Sequence, residues 1–182
     1  MIKNRILKSN VYVYFVDNDD EYLRNVLSNF EDVNNYNVQI YSKSKDFFSD
    51  FKPIKQTKKN VSIVFVSTTL EMDDNGIPIE IIDVLRKIKQ ISPKTEVILY
   101  SDNDNINLVS SAFHFGAYTF IKKNENVLLR LENNIKGILS QKNFILKKQS
   151  SMLVTKLFVI FFFIVLAIIV FIYFLFPQWF IT

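Results

Sequence analysis

Few side chains in this chain are equipped for chemistry, and several familiar constellations are excluded at once. There is no cysteine, hence no disulfide, no thiolate metal site and no thiol nucleophile. The single histidine, His114, lies between Phe113 and Phe115 with no second His or Cys to share a metal, and reads as a surface or helix-capping residue. Asp19, Asp20 and Glu21 could offer oxygen ligands to a cation, although an acidic first helix turn explains them equally well. With three glycines there is no Gly-rich phosphate loop, and neither a zinc-binding HExxH nor a nucleophile elbow is present. These residues predict no independent enzyme, no metal and no cofactor.

The side chains that remain must be positioned by a regular scaffold. Val11–Val16 is apolar at every position, as a strand covered on both faces must be, and Val61–Val66 (VSIVFV) reads as another fully buried strand. Val97–Tyr100 and Tyr118–Ile121 read as further strands, and the half-polar Val38–Tyr41 as an edge strand. Between them lie helical patterns: Tyr22, Leu23, Val26, Leu27 and Phe30; a short Asp46–Phe51; Ile81, Ile82, Leu85 and Ile88 after Pro78; Ile106, Val109 and Phe113; and Leu128, Leu131, Ile135 and Ile138. Five strands alternating with five helices predict an α/β, doubly wound five-stranded parallel sheet.

Leu157–Phe176 contains no charge, Gly, Pro or amide. A helix of that length covers about 30 Å, the thickness of a bilayer's hydrocarbon core. The expected organisation is therefore a domain over 1–140, a basic juxtamembrane helix or linker over 141–156, a transmembrane helix over 157–176 and a short trans-side tail over 177–182. Lys142, Lys147, Lys148 and Lys156 precede the span and no Lys or Arg follows it. The positive-inside rule then places the domain on the cytoplasmic side, with the C-terminus on the outer side of the membrane. The net charge of +4 comes with no sustained basic face, so no nucleic-acid partner is expected. In a doubly wound sheet the loop Lys52–Asn60 opens on the face away from the crevice, so Lys55, Lys58 and Lys59, with Lys147, Lys148 and Lys156, are expected to face an anionic lipid surface. The opposite face would collect Asp17, Asp19, Asp20, Glu21, Glu71, Asp73, Asp74, Asp102 and Asp104.

The pattern over roughly residues 10–140, and above all Gly116–Asn126 (GAYTFIKKNEN), resembles the receiver domain of two-component response regulators, the CheY-like fold. The resemblance implies a pocket at the carboxyl ends of the strands, where an acidic pair and a further Asp hold Mg²⁺ and that Asp accepts phosphate. It places Asp17 and Asn18 at the acidic pair, Ser67 at the phosphoacceptor, Ser101 at the phosphate-binding hydroxyl, Lys123 at the lysine and Phe120 at the switch aromatic. Ser67 offers no carboxylate for an acyl phosphate, and Asn18 with Ser67 strips a hard cation of anionic ligands. Lys123 is expected to lose its carboxylate partner. The resemblance thus implies a degenerate pocket in a pseudo-receiver. Its expected role is a non-catalytic, tail-anchored subunit or adaptor of a membrane protein complex, with homodimerisation through about Asn105–Leu139 as a further expectation. The alternative is a membrane-tethered signalling protein answering a kinase or ligand without phospho-Asp chemistry.

Overall fold

The computed structural model describes residues 6–30, 33–52, 59–69, 80–102, 106–124 and 126–175. Its described residues fall into two compact units, Ile6–Lys142 and the part of the chain from Asn143 onward. The first unit holds a parallel sheet of five strands, β1 (Val11–Val16), β2 (Asn37–Tyr41), β3 (Val61–Ser67), β4 (Glu96–Ser101) and β5 (Thr119–Lys122), in the order β2-β1-β3-β4-β5. This is a doubly wound order, with its switch point between β1 and β3.

Burial explains the composition of the strands. β1, β3 and β4 are buried almost throughout, and an apolar side chain suits both faces there. β2 lies at the edge with no buried residue, so it keeps Asn37 and Gln39. Four helices connect the strands: α1 (Asp20–Ser28), α2 (Ser44–Asp50), α3 (Ile81–Ile91) and α4 (Ile106–His114). The fifth, α5, runs from Val127 to Leu175. Asp19 caps α1 by accepting the Tyr22 backbone N–H at 2.9 Å, and Asp20 and Glu21 follow in the first turn.

The two-residue strand period sorts the core into two layers. Tyr14, Val16, Val64, Val66, Val97 and Leu99 pack with Phe47 and Phe51 of the α2 region, Leu85 and Ile88 of α3 and Ala112 of α4. Val13, Phe15, Ile63, Phe65, Ile98 and Tyr100 take the other face, and the helices left to cover it are α1 and the first turns of α5. Those helices contribute buried Leu23, Val26, Leu27, Leu131, Ile135 and Ile138. Lys142 closes this unit with an ion pair to Glu96 at 2.7 Å.

One helix faces differently from its sequence pattern. Ile106 is 81% exposed and Phe113 49%, whereas Ala112 is buried and Leu108 and Phe115 pack against the core. α4 is apolar along two stripes, and the sheet takes the one through Leu108, Ala112 and Phe115 because its small Ala112 allows close approach. Pro78 lies outside the described residues, and α3 begins at Ile81.

In the second unit, helix α5 continues through the segment that sequence left open as helix or linker. Among the described residues, α5 alone is long and apolar enough to cross a membrane, and none of its most apolar window is buried. Lys147, Lys148 and Lys156 are exposed on it.

Candidate functional site

The residues singled out by sequence converge on the carboxyl ends of the strands. Asp17 follows β1 and is fully buried; its backbone N–H donates to the Tyr41 carbonyl at 3.0 Å, which fixes it beside β2. Its Oδ1 accepts the Asp19 backbone N–H at 3.2 Å. Asn18, next in the chain, is exposed.

Ser67 ends β3 and is also fully buried. Its hydroxyl is engaged locally: Oγ lies 2.8 Å from Thr69 Oγ1 and accepts the Thr69 backbone N–H at 3.3 Å. Ser101 ends β4 and is buried, with its carbonyl accepting the Lys123 backbone N–H at 2.8 Å. By the strand period, Ser101 and Phe120 belong to the α3–α4 side of the sheet. Phe120 is half-buried there, at the rim of that core layer.

Lys123 departs from expectation. Sequence reasoning left it without a carboxylate, but its Nζ lies 2.8 Å from Asp17 Oδ2, in a pair whose side chains are 7% and 0% exposed. The lysine stem is long enough to pass the ends of β3 and β4 and reach β1, so losing an acid at Ser67 does not orphan it. Two tyrosines complete its surroundings. Nζ sits 4.8 Å from the ring centroid of Tyr22 on α1 and 5.0 Å from that of Tyr100 on β4. Sequence had assigned both rings to packing alone. The available signal was parity, since the strand period turns Tyr100 to the same side as Asp17 and Lys123.

Both phenols are held neutral. Burial, then the charges of Asp102, Asp17 and Asp19, pushes Tyr22 up to about 12. Burial and then Asp17 raise Tyr100 well above the usual phenol range. Tyr14, in the opposite layer, is also pushed up to about 12, chiefly by burial. In the unfolded chain these groups ionise near about 10. The folded state therefore retains protons that the unfolded state gives up. The stability they contribute is complete below about pH 10 and is lost as pH rises through the folded values. Absorbance titration of tyrosinate should show a late-ionising class that shrinks in Tyr14→Phe and Tyr22→Phe; a uniform transition near the ordinary phenol value would contradict this.

Some expected site residues are not brought together here. Lys55 and Lys58 lie outside the described residues, as do Glu71, Asp73, Asp74 and Asp104. Lys59 lies in a described turn before β3 and is half-buried. Among the described residues no group of three His, Cys, Asp or Glu side chains could hold a metal ion. Asp17 is committed to Lys123, Asp19 to the helix cap, and Asp20 accepts a hydrogen bond from Ser42 Oγ at 2.7 Å.

No protein-family model matches the chain, and no curated protein matches it. Solved structures do match. A response regulator receiver domain protein (CheY-like) from Methanospirillum hungatei JF-1 superimposes with a TM-score of 0.58 at 18% identity, over 72% of this chain and 94% of that one. The fold is that of a receiver domain. The signal receiver domain of a putative Luxo repressor protein from Vibrio parahaemolyticus gives 0.56 at 20% identity, over 73% and 92% of the two chains. A response regulator from Burkholderia pseudomallei, determined with a phosphorylated aspartic acid, calcium ion and citrate, gives 0.52 at 12% identity, over 78% and 73%.

Proposed function

We propose that this chain is a pseudo-receiver tethered to a membrane by its C-terminal helix, acting without catalysis as a subunit or adaptor of a bacterial inner-membrane protein assembly. The observation carrying the reading is Ser67. An acyl phosphate needs a carboxylate, and the residue closing β3 is an alcohol, buried and with its hydroxyl hydrogen-bonded to Thr69. In this reading residues 1–140 are the interaction domain, 141–156 the juxtamembrane segment, 157–176 the span and 177–182 the trans-side tail, with the domain in the cytoplasm. Lys147, Lys148 and Lys156 are exposed on α5 and Lys156 immediately precedes the span, where each cation near anionic lipid gains about 1 kcal/mol.

The adaptor role is supported by apolar side chains left on the surface of the α4 and α5 region. Ile106, Phe113 and Leu129 are all exposed, the last at 58%. Such residues serve a contact with a second protein or a second copy of this chain better than they serve water.

Incubation of the purified full chain with acetyl phosphate and Mg²⁺ tests the reading. Intact mass should show no phosphoryl adduct, and the amide signals around Phe120 should stay in place. A labile adduct would show that another group accepts phosphate and would overturn the pseudo-receiver assignment.

A further inference from the structure

The Lys123 ammonium is enclosed on three sides, by the Asp17 carboxylate at 2.8 Å and by the rings of Tyr22 and Tyr100. An anion entering the crevice would meet a cation that is already neutralised and nearly out of water. To gain it, the anion would have to displace Asp17. That would leave a fully buried carboxylate without a counter-charge, two residues before the acidic Asp19. The tyrosine faces offer an anion no compensation, because the ring quadrupole is negative toward whatever sits above it.

We infer that the Asp17–Lys123 pair is a permanent clasp, which closes the crevice to phosphate-like anions and fastens the β1–α1 corner to the β5–α5 corner. β1 and β5 are not neighbours in the sheet: β3 and β4 lie between them. The pair therefore adds a connection that backbone hydrogen bonds do not supply, four residues ahead of the first residue of α5. The clasp holds one conformation of the crevice without a ligand. This inference rests on the pseudo-receiver reading and adds to it: Lys123 serves as a structural cation and is withheld from phosphate.

The test uses the full chain in detergent micelles with inorganic phosphate as the probe. The wild type should give no binding heat and no shift at Lys123 or Ser101, whereas Asp17→Asn, which frees the lysine, should bind phosphate at least tenfold more tightly. Equal affinity in the two, whether measurable or nil, overturns the closure. Lys123→Met should lower the folding equilibrium constant at least tenfold more in the wild type than in the Asp17→Asn background, and equal effects in the two overturn the clasp. A third measurement needs no variant. The Lys123 ammonium protons of the wild type should be protected from exchange with water throughout a phosphate titration, and rapid exchange overturns the inference. A phosphoryl adduct after acetyl phosphate treatment would sink the underlying pseudo-receiver reading. Lost coupling with no adduct would sink the clasp alone.

Discussion

Ile164→Lys combined with Ile168→Lys is expected to move the full chain from the membrane pellet to the soluble fraction or to degradation. The two positions lie near the middle of Leu157–Phe176, one helical turn apart, and both side chains are about half exposed on α5. A lysine at the centre of a membrane helix costs about 2.5–3.5 kcal/mol on the insertion scale. Two of them on one face, too far from either interface to reach it easily, bring the penalty to roughly 5–7 kcal/mol, or about four orders of magnitude in partitioning. The control is Ser151→Lys, upstream of the span, which adds a cation where cations are tolerated and should leave the pellet unchanged. Membrane pellets washed with carbonate and then extracted with detergent give the readout. A wild-type chain found in the wash, or a double-lysine variant as firmly held as the wild type, would contradict the tether.

How far the sequence led depends on where side-chain identity alone decides the structure. β1, β3 and β4 were legible because a strand covered on both faces has little room for a polar residue, and VYVYFV and VSIVFV contain very few. β2 was legible for the opposite reason: its polar residues fit only an edge. α4 was not. Its residues support two apolar stripes, and choosing between Ile106–Val109–Phe113 and Leu108–Ala112–Phe115 requires knowing how closely the helix must approach the sheet.

The crevice shows the same division. Asp17, Ser67, Ser101 and Lys123 each end or follow a strand, and strand ends can be read from where the apolar runs stop. Which acid a lysine pairs with cannot be read that way, because a four-carbon stem can reach across two strand ends. Sequence reasoning assumed that Lys123 could pair only with the acid missing at Ser67. The structure gives it Asp17 instead. The enclosing tyrosines escaped notice because a tyrosine in a helix stripe or a strand looks like core until its hydroxyl has to be accounted for. The Tyr22 and Tyr100 hydroxyls are both buried, and that burial, with the acids nearby, keeps them protonated.

The scaffold that fixes these positions depends on its central strand, and Phe65→Ala is the substitution expected to weaken it most. Phe65 is fully buried on β3, between β1 and β4, and stacks on Phe15 with ring centroids 4.8 Å apart and planes 9° from parallel. Truncating a buried phenylalanine costs about 3–5 kcal/mol, from lost transfer energy and from the cavity that rigid neighbours cannot fill. Collapse is limited here because β3 is hydrogen-bonded on both sides and cannot shift toward the gap. A domain of this size has about 5–15 kcal/mol in total. The change therefore removes at least about a fifth of the margin and loosens Ser67, two residues further along the same strand and face. Ile40→Ala is the comparison: Ile40 is 42% exposed on the edge strand β2, and its loss should cost under about 1 kcal/mol. Urea titration of the full chain in micelles, followed by tyrosine near-ultraviolet circular dichroism, would show the midpoint falling steeply for Phe65→Ala and little for Ile40→Ala, with similar slopes. Comparable losses in the two variants would mean that the weight of the core lies elsewhere than on the Phe15–Phe65 stack, and the crevice would need a different account of what holds it rigid.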